Sequence, residues 1–165
     1  MGEKSKNDPL IREARSEDIS EIISMVKELA DFEHLSDEMV ATEADYQESF
    51  FGEKPAAEAL VAEIEGYLIG YAIFFSTFST FVGRAGIWLE DLYVREEHRK
   101  KGIGKALLKE VGDLARKRNS GRYEWAVLDW NENAIQLYRQ MGGEILDEWR
   151  IVRLDRNGIE TLEEK

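Results

Sequence analysis

Hydrophobic positions follow two different periods along this chain, and the alternation between them predicts a mixed α/β fold. Apolar residues recur every three or four positions, as on one face of a helix, from Ile19 to Leu29 and from Ile103 to Leu114. Other segments alternate apolar and polar residues or are continuously apolar, as strands are. The predicted helices begin at Ser16, Thr42, Ile103 and Asn131, and the predicted strands span 10–13, 60–64, 68–75, 88–94, 123–128 and 149–154. The resulting element order is β-α-α-β-β-β-α-β-α-β.

The length and composition fit one domain. Of the 165 residues, 43% are hydrophobic, which is enough to bury the core of a chain of this size. We expect a flexible polar tail over 1–9, a folded domain over 10–155 and a second tail over 156–165. The stretch 76–86, rich in Thr, Ser, Phe and Gly, predicts a loop.

The charge of the chain narrows the classes of partner. The 34 acidic and 22 basic residues give a net charge of −12, which repels the phosphate backbone of nucleic acids and favours small cations. An acidic surface also keeps a protein in solution whatever it binds. The chain has no apolar run long enough for a membrane span, and it starts with polar residues instead of a signal peptide. We therefore expect no membrane association and a cytoplasmic location.

Cysteine and histidine usage excludes several kinds of site. The chain has no cysteine, which excludes disulfides, thiolate metal ligands and a cysteine nucleophile. Its two histidines, His34 and His98, have no partners at metal-ligand spacing. We therefore expect no metal site.

A basic segment with two glycines follows the predicted strand 88–94 and opens the next helix. It contains Arg99, Lys100, Lys101, Gly102 and Gly104, and so reverses the acidic background locally. Glycines allow a tight turn in which successive N–H groups converge, and the positive end of the following helix adds to them. The sequence therefore predicts a binding site for a pyrophosphate, and hence a phosphorylated cofactor.

Two common phosphate-binding motifs do not fit this segment. A dinucleotide fingerprint needs a third glycine where Leu107 stands. A triphosphate-binding loop needs a glycine in place of Arg99 and a hydroxyl residue in place of Ala106. What remains is Arg-x-x-Gly-x-Gly after a strand, which resembles the acetyl-CoA loop of the GCN5-related N-acetyltransferases (GNAT).

The resemblance extends from about residue 10 to residue 154. Further segments occur in the order that they have in the diamine (spermidine/spermine) acetyltransferase branch of that superfamily: KELADFE (27–33), FGEKP (51–55), LED (89–91), and NE and LY within 131–138. The resemblance implies the GNAT fold, a single α/β domain whose central, mixed, mostly antiparallel twisted sheet is flanked by helices. It also implies acetyl-CoA as the cofactor and a homodimer in which both chains line each substrate site.

Cofactor contacts follow from the resemblance by position. In the family, the main chain at the positions of Leu92 and Val94 pairs with the pantetheine arm as another strand would, through groups that a bulge or splay leaves free. Asn131 is expected both to cap its helix and to contact the cofactor. The expected cofactor-binding residues are Leu92, Tyr93, Val94, Arg99, Lys100, Lys101, Gly102, Ile103, Gly104, Lys105, Asn131, Glu132, Asn133 and Ala134.

Transfer of an acetyl group to an amine needs a base for the ammonium and an acid for the departing thiolate. An ammonium with a pKa near 10.4 must first lose a proton, which costs roughly 4 to 5 kcal/mol at neutral pH. Glu90, just before the cofactor-pairing positions, is the expected base, acting through water. Spacing alone favours Tyr138 as a core residue of its helix, whereas the resemblance implies that it is the general acid.

The resemblance also implies carboxylates and aromatic rings around the amine. The expected substrate contacts are Phe32, Glu33, Glu90 and Trp125, together with Asp147 or Glu148. The spacing near residue 147 departs from the family by one residue, so both of the last two stay open. Asn133 stands where the branch has a proline.

These observations predict an acetyl-CoA-dependent N-acetyltransferase that moves an acetyl group directly, without an acyl-enzyme. The expected acceptor is the primary amine of a small cationic substrate, which is a polyamine, a diamine or a lysine-like amino acid. One alternative is a protein, peptide or drug-like amine acetyltransferase of the same fold. The other is a non-catalytic module that binds CoA.

Overall fold

The computed structural model describes residues 9–162 and divides the chain into two compact units, Met1–Ala126 and Val127–Lys165. The expected tail at residues 1–8 therefore lies outside the described residues. In the first unit the elements are β1 (Leu10–Glu13), α1 (Ile19–Glu33), α2 (Glu43–Phe51), β2 (Glu58–Ile64), β3 (Tyr67–Ser79), β4 (Arg84–Val94), α3 (Ile103–Lys117) and β5 (Tyr123–Trp125). In the second unit they are α4 (Glu132–Gln140) and α5 (Arg156–Glu160).

The five strands of the first unit form one sheet in the order β1-β2-β3-β4-β5. The pairs from β1 to β4 are antiparallel, and β5 lies parallel to β4. A parallel neighbour requires a crossover connection, which α3 supplies. The turn between β2 and β3 uses Glu65 and Gly66, both in the left-handed region with φ of 50° and 86°, as a tight hairpin turn requires.

Helices cover both faces of this sheet. Ile22 and Met25 of α1 pack in one buried cluster with Val61, Tyr71 and Tyr93. Side chains alternate between the faces of a strand, so the buried neighbours of these strand residues face the other way. The helix α3 contacts β2, β3 and β4 and buries Leu107, Leu108 and Val111, which lie on one helical face.

Helix starts agree with the sequence in one case and differ in another. A helix starts at Thr42 as predicted, and Thr42 caps α2 through a reciprocal pair of contacts with Asp45. Ser16 does not cap α1, because a 3-10 turn, Ser16–Asp18, precedes the helix. Asp18 instead accepts the Arg15 main-chain N–H at 2.7 Å and pairs with Arg12 at 2.7 Å, and these contacts hold the pKa of Asp18 below its usual range.

The predicted loop 76–86 is wrong, because β3 and β4 continue through it as one long hairpin. Residues 76–79 pair in register with 84–87. Thr and Phe favour strands once a neighbouring strand accepts their hydrogen bonds, and the composition of the segment hid that pairing.

Two predicted strands also differ. The strand expected over 123–128 ends at Trp125, and no strand forms over 149–154. Every residue from 149 to 154 is exposed, and the segment pairs with no strand in the described part of the chain. A strand needs a neighbour for its N–H and C=O groups, and an apolar pattern alone does not provide one. Within the stretch expected to be a tail, α5 forms a short helix.

The expected fold class is confirmed: a mixed, mostly antiparallel sheet flanked by helices. The domain boundaries 10–155 stay a prediction.

We predict that Leu107→Ala lowers the free energy of unfolding by about 2 to 5 kcal/mol, because the side chain is 0% exposed and its loss leaves a cavity under the sheet. Urea denaturation followed by circular dichroism measures the change. Lys109→Ala, on the exposed side of the same helix, is the matched control and should change stability by less than about 0.5 kcal/mol. Equal effects of the two substitutions would contradict the packing of α3 described here.

Candidate active site

The sheet opens along the second half of β4. The strand β5 pairs only with residues 87–89 of β4, its last pair being Leu89 with Trp125. Beyond Leu89 the strand β4 continues to Val94, paired with β3 on its other side. No strand of the described sheet pairs with 90–94 on the β5 side. The main chain of Leu92 and Tyr93 lies in this stretch, which can accept an extended, amide-bearing ligand as a further strand.

A β-bulge marks the start of the opening. Ile73 and Phe74 are consecutive in β3, yet their partners in β4 are Asp91 and Leu89, so Glu90 is the extra residue. The Glu90 side chain is exposed, and its Oε2 accepts the indole N–H of Trp88 at 3.0 Å. The bulge therefore turns this carboxylate out of the strand register at the point where β5 ends.

The glycine-containing turn has the geometry that an anion requires. Lys100 and Gly102 both have left-handed backbones, with φ of 61° and 82°. Gly102 occupies the N-cap position of α3 and provides no side-chain cap, and the first turn of the helix holds no acidic residue. The first N–H groups of a helix have no partner within it, so an uncapped start offers them to a ligand. The expected pyrophosphate is an anion of the kind that this uncapped helix start and its turn could bind.

The Arg99 side chain lies against the protein and not over the turn. Its guanidinium carbon is 5.1 Å from the centre of the Phe32 ring and 5.3 Å from that of Tyr93. Its Nε donates to the main-chain oxygen of Val94 at 2.9 Å. Lys100, Lys101 and Lys105, by contrast, are exposed.

An acidic cluster lies beside Glu90. Burial raises the pKa of Asp91 to about 6, and the charges of Glu90 and Glu33 add to the effect. Burial also raises the pKa of Glu33. Tyr71 is 0% exposed, and its hydroxyl has no hydrogen-bond partner among the described residues. Burial first, and the charge of Asp91 second, raise the pKa of Tyr71 well above its usual value.

Asp91 is not among the site residues expected from the sequence, which include only its neighbour Glu90. Asp91 pairs with Ile73, and Tyr93 pairs with Tyr71, so Asp91 shares the buried face of the strand with Tyr93. The sequence did contain a signal. Asp91 is two positions before Tyr93, so in a strand both side chains point to the same face, and Tyr93 is a core residue. The bulge that sets this register was not visible in the sequence.

The structure brings most of the expected site residues together in the first unit. They are Phe32 and Glu33 at the end of α1, Glu90, Leu92, Tyr93 and Val94 on β4, the turn Arg99 to Lys105, and Trp125 at the end of β5. The Trp125 ring packs against Tyr123, with the ring centres 4.8 Å apart.

The remaining expected residues belong to the second unit. Tyr138 lies in α4 and is 9% exposed, and Asn131 caps that helix by accepting the Ala134 N–H at 3.3 Å. Glu132 and Asn133 are exposed in its first turn. Asp147 and Glu148 are both exposed and outside any helix or strand, so the choice between them stays open.

A metal site and a membrane-spanning helix are both absent from the described residues. Within residues 9–162 no group of three or more His, Asp or Glu side chains is arranged to hold a metal ion. In the same part of the chain, no helix has the length and apolar character needed to cross a bilayer.

The sequence of the chain matches the model of a known family. The sequence model of the acetyltransferase (GNAT) family matches residues 19–142. The chain therefore belongs to the GNAT acetyltransferase family.

Individual relatives agree with this membership. The chain is 37% identical over 164 residues to the thialysine N-epsilon-acetyltransferase of Sus scrofa, with 93% of this chain and 96% of that protein covered. It is 31% identical over 159 residues to the human spermidine/spermine N(1)-acetyltransferase-like protein 1, covering 90% of this chain and 23% of that protein. Among solved structures, an integron cassette protein from V. cholerae superposes with a TM-score of 0.79 at 22% identity, over 96% of this chain and 99% of that one, which shows a shared fold.

The raised pKa of Asp91 predicts a pH-dependent stability. A carboxyl group whose pKa is higher in the folded than in the unfolded chain stabilises the fold fully only below its unfolded pKa, here 3.8, and this contribution is lost as the pH rises through about 6. Asp91→Asn removes this titration. Between about pH 4 and pH 7, the free energy of unfolding of the unmodified chain should fall relative to that of the variant by roughly 2 to 3 kcal/mol.

Urea denaturation of both proteins at several pH values measures this difference. A difference that stays constant over the same range would contradict the raised pKa.

Proposed function

We propose that this chain is an acetyl-CoA-dependent N-acetyltransferase that acts on the primary amine of a small cationic substrate, which is a polyamine, a diamine or a lysine-like amino acid. Membership of the GNAT family supports acetyl transfer. Relatives named for thialysine and for spermidine and spermine support an acceptor of this class.

The proposal depends on one observation: three features follow one another along β4 and into α3. The bulge exposes Glu90, the free side of β4 follows directly, and the uncapped start of α3 comes next. Acetyl-CoA, when bound, supplies the acetyl group as a thioester. The main chain of 92–94 would hold its amide-bearing arm, and the turn 100–105 would hold its pyrophosphate.

Glu90 is the proposed base. Trp88 donates to its Oε2, which fixes the carboxylate and leaves Oε1 available to receive a proton. The amine arrives as an ammonium, and Oε1 takes its proton through a water molecule, after which the amine can attack. Glu33 and Asp91 lie close enough to interact with each other electrostatically, and they add the negative potential that draws the cation in.

Tyr138 is the proposed acid. Its Oη gives a proton to the sulfur that departs when the new amide bond forms. The Tyr138 side chain lies on α4 and is buried, which limits the access of water to this proton donor. Asn131, which caps this helix, is proposed as a cofactor contact, together with Glu132, Asn133 and Ala134.

The acidic cluster favours a small polycation over the alternative acceptors. A diamine presents a second charge that carboxylates such as Glu33 can bind, whereas an uncharged drug-like amine gains nothing from them. A peptide substrate is expected to be less sensitive to this cluster. A non-catalytic CoA-binding module would need neither Glu90 nor Tyr138.

The proposal includes a homodimer and a cytoplasmic location. Support for a dimer comes from the segment 149–154, where Trp149, Ile151 and Val152 expose apolar side chains, Val152 to 90%. A second copy of the chain would remove these side chains from water.

We predict that Tyr138→Phe lowers kcat by about 100-fold or more, because the ring stays but the proton donor is lost. Release of free thiol from acetyl-CoA in the presence of a diamine measures the rate. Tyr67→Phe, at an exposed tyrosine that starts β3, is the control and should leave kcat unchanged. An unchanged kcat in the Tyr138 variant would remove the acid assignment.

We predict that Glu33→Gln lowers kcat/KM about 10-fold for 1,4-diaminobutane and spermidine but less than about 2-fold for a monoamine of similar length, because only the former carry a second charge for the carboxylate to bind. Assays over a panel of amines measure these ratios. Glu110→Gln, on the exposed side of α3, serves as the control. Equal losses for both classes of amine would argue against charge recognition at Glu33.

A further inference from the structure

Arg99 connects two parts of the site that bind different substrates. Its guanidinium carbon lies over the ring of Phe32, at the end of α1, at 5.1 Å and over the ring of Tyr93, on β4, at 5.3 Å. Its main chain belongs to the turn that leads into α3. The neighbour of Phe32 in the chain is Glu33, which interacts with Asp91 in the acidic cluster. One side chain therefore bridges the cofactor turn and the amine end of α1.

This bridge belongs to a wider attachment of α1 to the end of β4. The Tyr93 hydroxyl donates to Glu28 at 3.0 Å, and Arg95 pairs with Glu21 and, at 3.4 Å, with Glu28. These contacts hold the first turn and the middle of the helix. Phe32, which is 43% exposed, is held near its end by the Arg99 stack.

We propose that Arg99 is a positioning residue that couples the cofactor turn to the amine end of α1 through the Phe32–Arg99–Tyr93 stack, so that cofactor and amine each favour the binding of the other. The inference rests on the proposed function. A ligand that orders the turn fixes Arg99, and Arg99 in turn fixes Phe32 and the adjacent Glu33. Because coupling between two sites is reciprocal, an amine held at Glu33 must tighten the cofactor to the same degree.

The chemistry of the contact requires arginine. A planar guanidinium can stack on two rings and still donate from Nε, as it does here to the Val94 oxygen at 2.9 Å. Lysine keeps the charge but cannot form this planar stack. If Arg99 served only as a ligand of the pyrophosphate, its charge would matter and Phe32 would be irrelevant to cofactor affinity.

The test measures the dissociation constant of CoA by calorimetry, with and without saturating 1,4-diaminobutane. CoA lacks the acetyl group, so no reaction occurs, and the ratio of the two constants gives the coupling. At saturating amine this ratio does not depend on how tightly a variant binds the amine. We expect a ratio of about 5 or more for the unmodified chain. Phe32→Leu and Arg99→Lys should each bring the ratio to within 2-fold of 1, and the double variant should add no further loss.

Two controls separate coupling from structural damage. Phe32→Tyr keeps a ring over the guanidinium and should retain the ratio. Arg118 follows α3 at the end opposite to Arg99, lies 5.9 Å from the centre of the Phe74 ring and pairs with Glu58 of β2. The variant Arg118→Lys should also retain the ratio. Thermal denaturation of each variant checks that it is folded, and Arg99→Gln replaces Arg99→Lys if the latter is not.

Three outcomes would overturn the inference. They are a ratio of 1 in the unmodified chain, an unchanged ratio in Phe32→Leu, and a loss of CoA affinity in Arg99→Lys with the ratio retained. If the unmodified chain does not bind CoA at all, the proposed function fails and the inference fails with it. If it binds CoA and acetylates diamines without coupling, only the inference fails.

Discussion

The shortness of β5 is the constraint on which the rest of the site depends. The strand β4 needs partners on both sides to be a closed interior strand, and β5 supplies one only as far as Leu89. From Glu90 onwards the main chain keeps hydrogen-bonding capacity on one side, which is costly unless water or a ligand satisfies it. The bulge at Glu90, which lies in the pairing of β4 with β3, sits at this boundary and redirects a carboxylate where the pairing with β5 ends. A binding surface and a candidate catalytic group thus lie next to each other along one strand.

Charge is divided between the two ends of this surface. Toward the start of α3 the local charges are the lysines of the turn and the helix N-terminus, both suited to an anion. At the bulge the local charges are Glu33, Glu90 and Asp91, which interact with one another in a partly buried setting. Each cluster repels its own charge, and each is relieved by a ligand of opposite sign. Bound substrates of opposite charge would reduce the repulsion within each cluster. Charged groups in unfavourable surroundings of this kind are common at functional sites.

The sequence predicted the elements whose signal is local. The period of α3, the helix start at Thr42 and the glycine turn depend on residues close together in the chain, and all three are present. The hairpin extension at 76–86 and the missing strand at 149–154 depended on whether a distant or separate segment offers hydrogen bonds, which no local pattern reveals. For the same reason the burial of Asp91 and the orientation of Arg99 were not predictable. Both are set by α1 packing against β4, which brings residues more than fifty positions apart into contact.

The parallel pairing of β4 with β5 also determines how early during folding the site can form. Antiparallel strands joined by short turns form from neighbouring segments, but β5 reaches β4 only after the chain has closed a loop that includes all of α3. Closing a long loop costs more chain entropy than closing a hairpin, so the pairing of 87–89 with 123–125 belongs to the later steps of folding. A chain growing from its N-terminus can complete the β2–β4 meander while the ligand surface is still undefined.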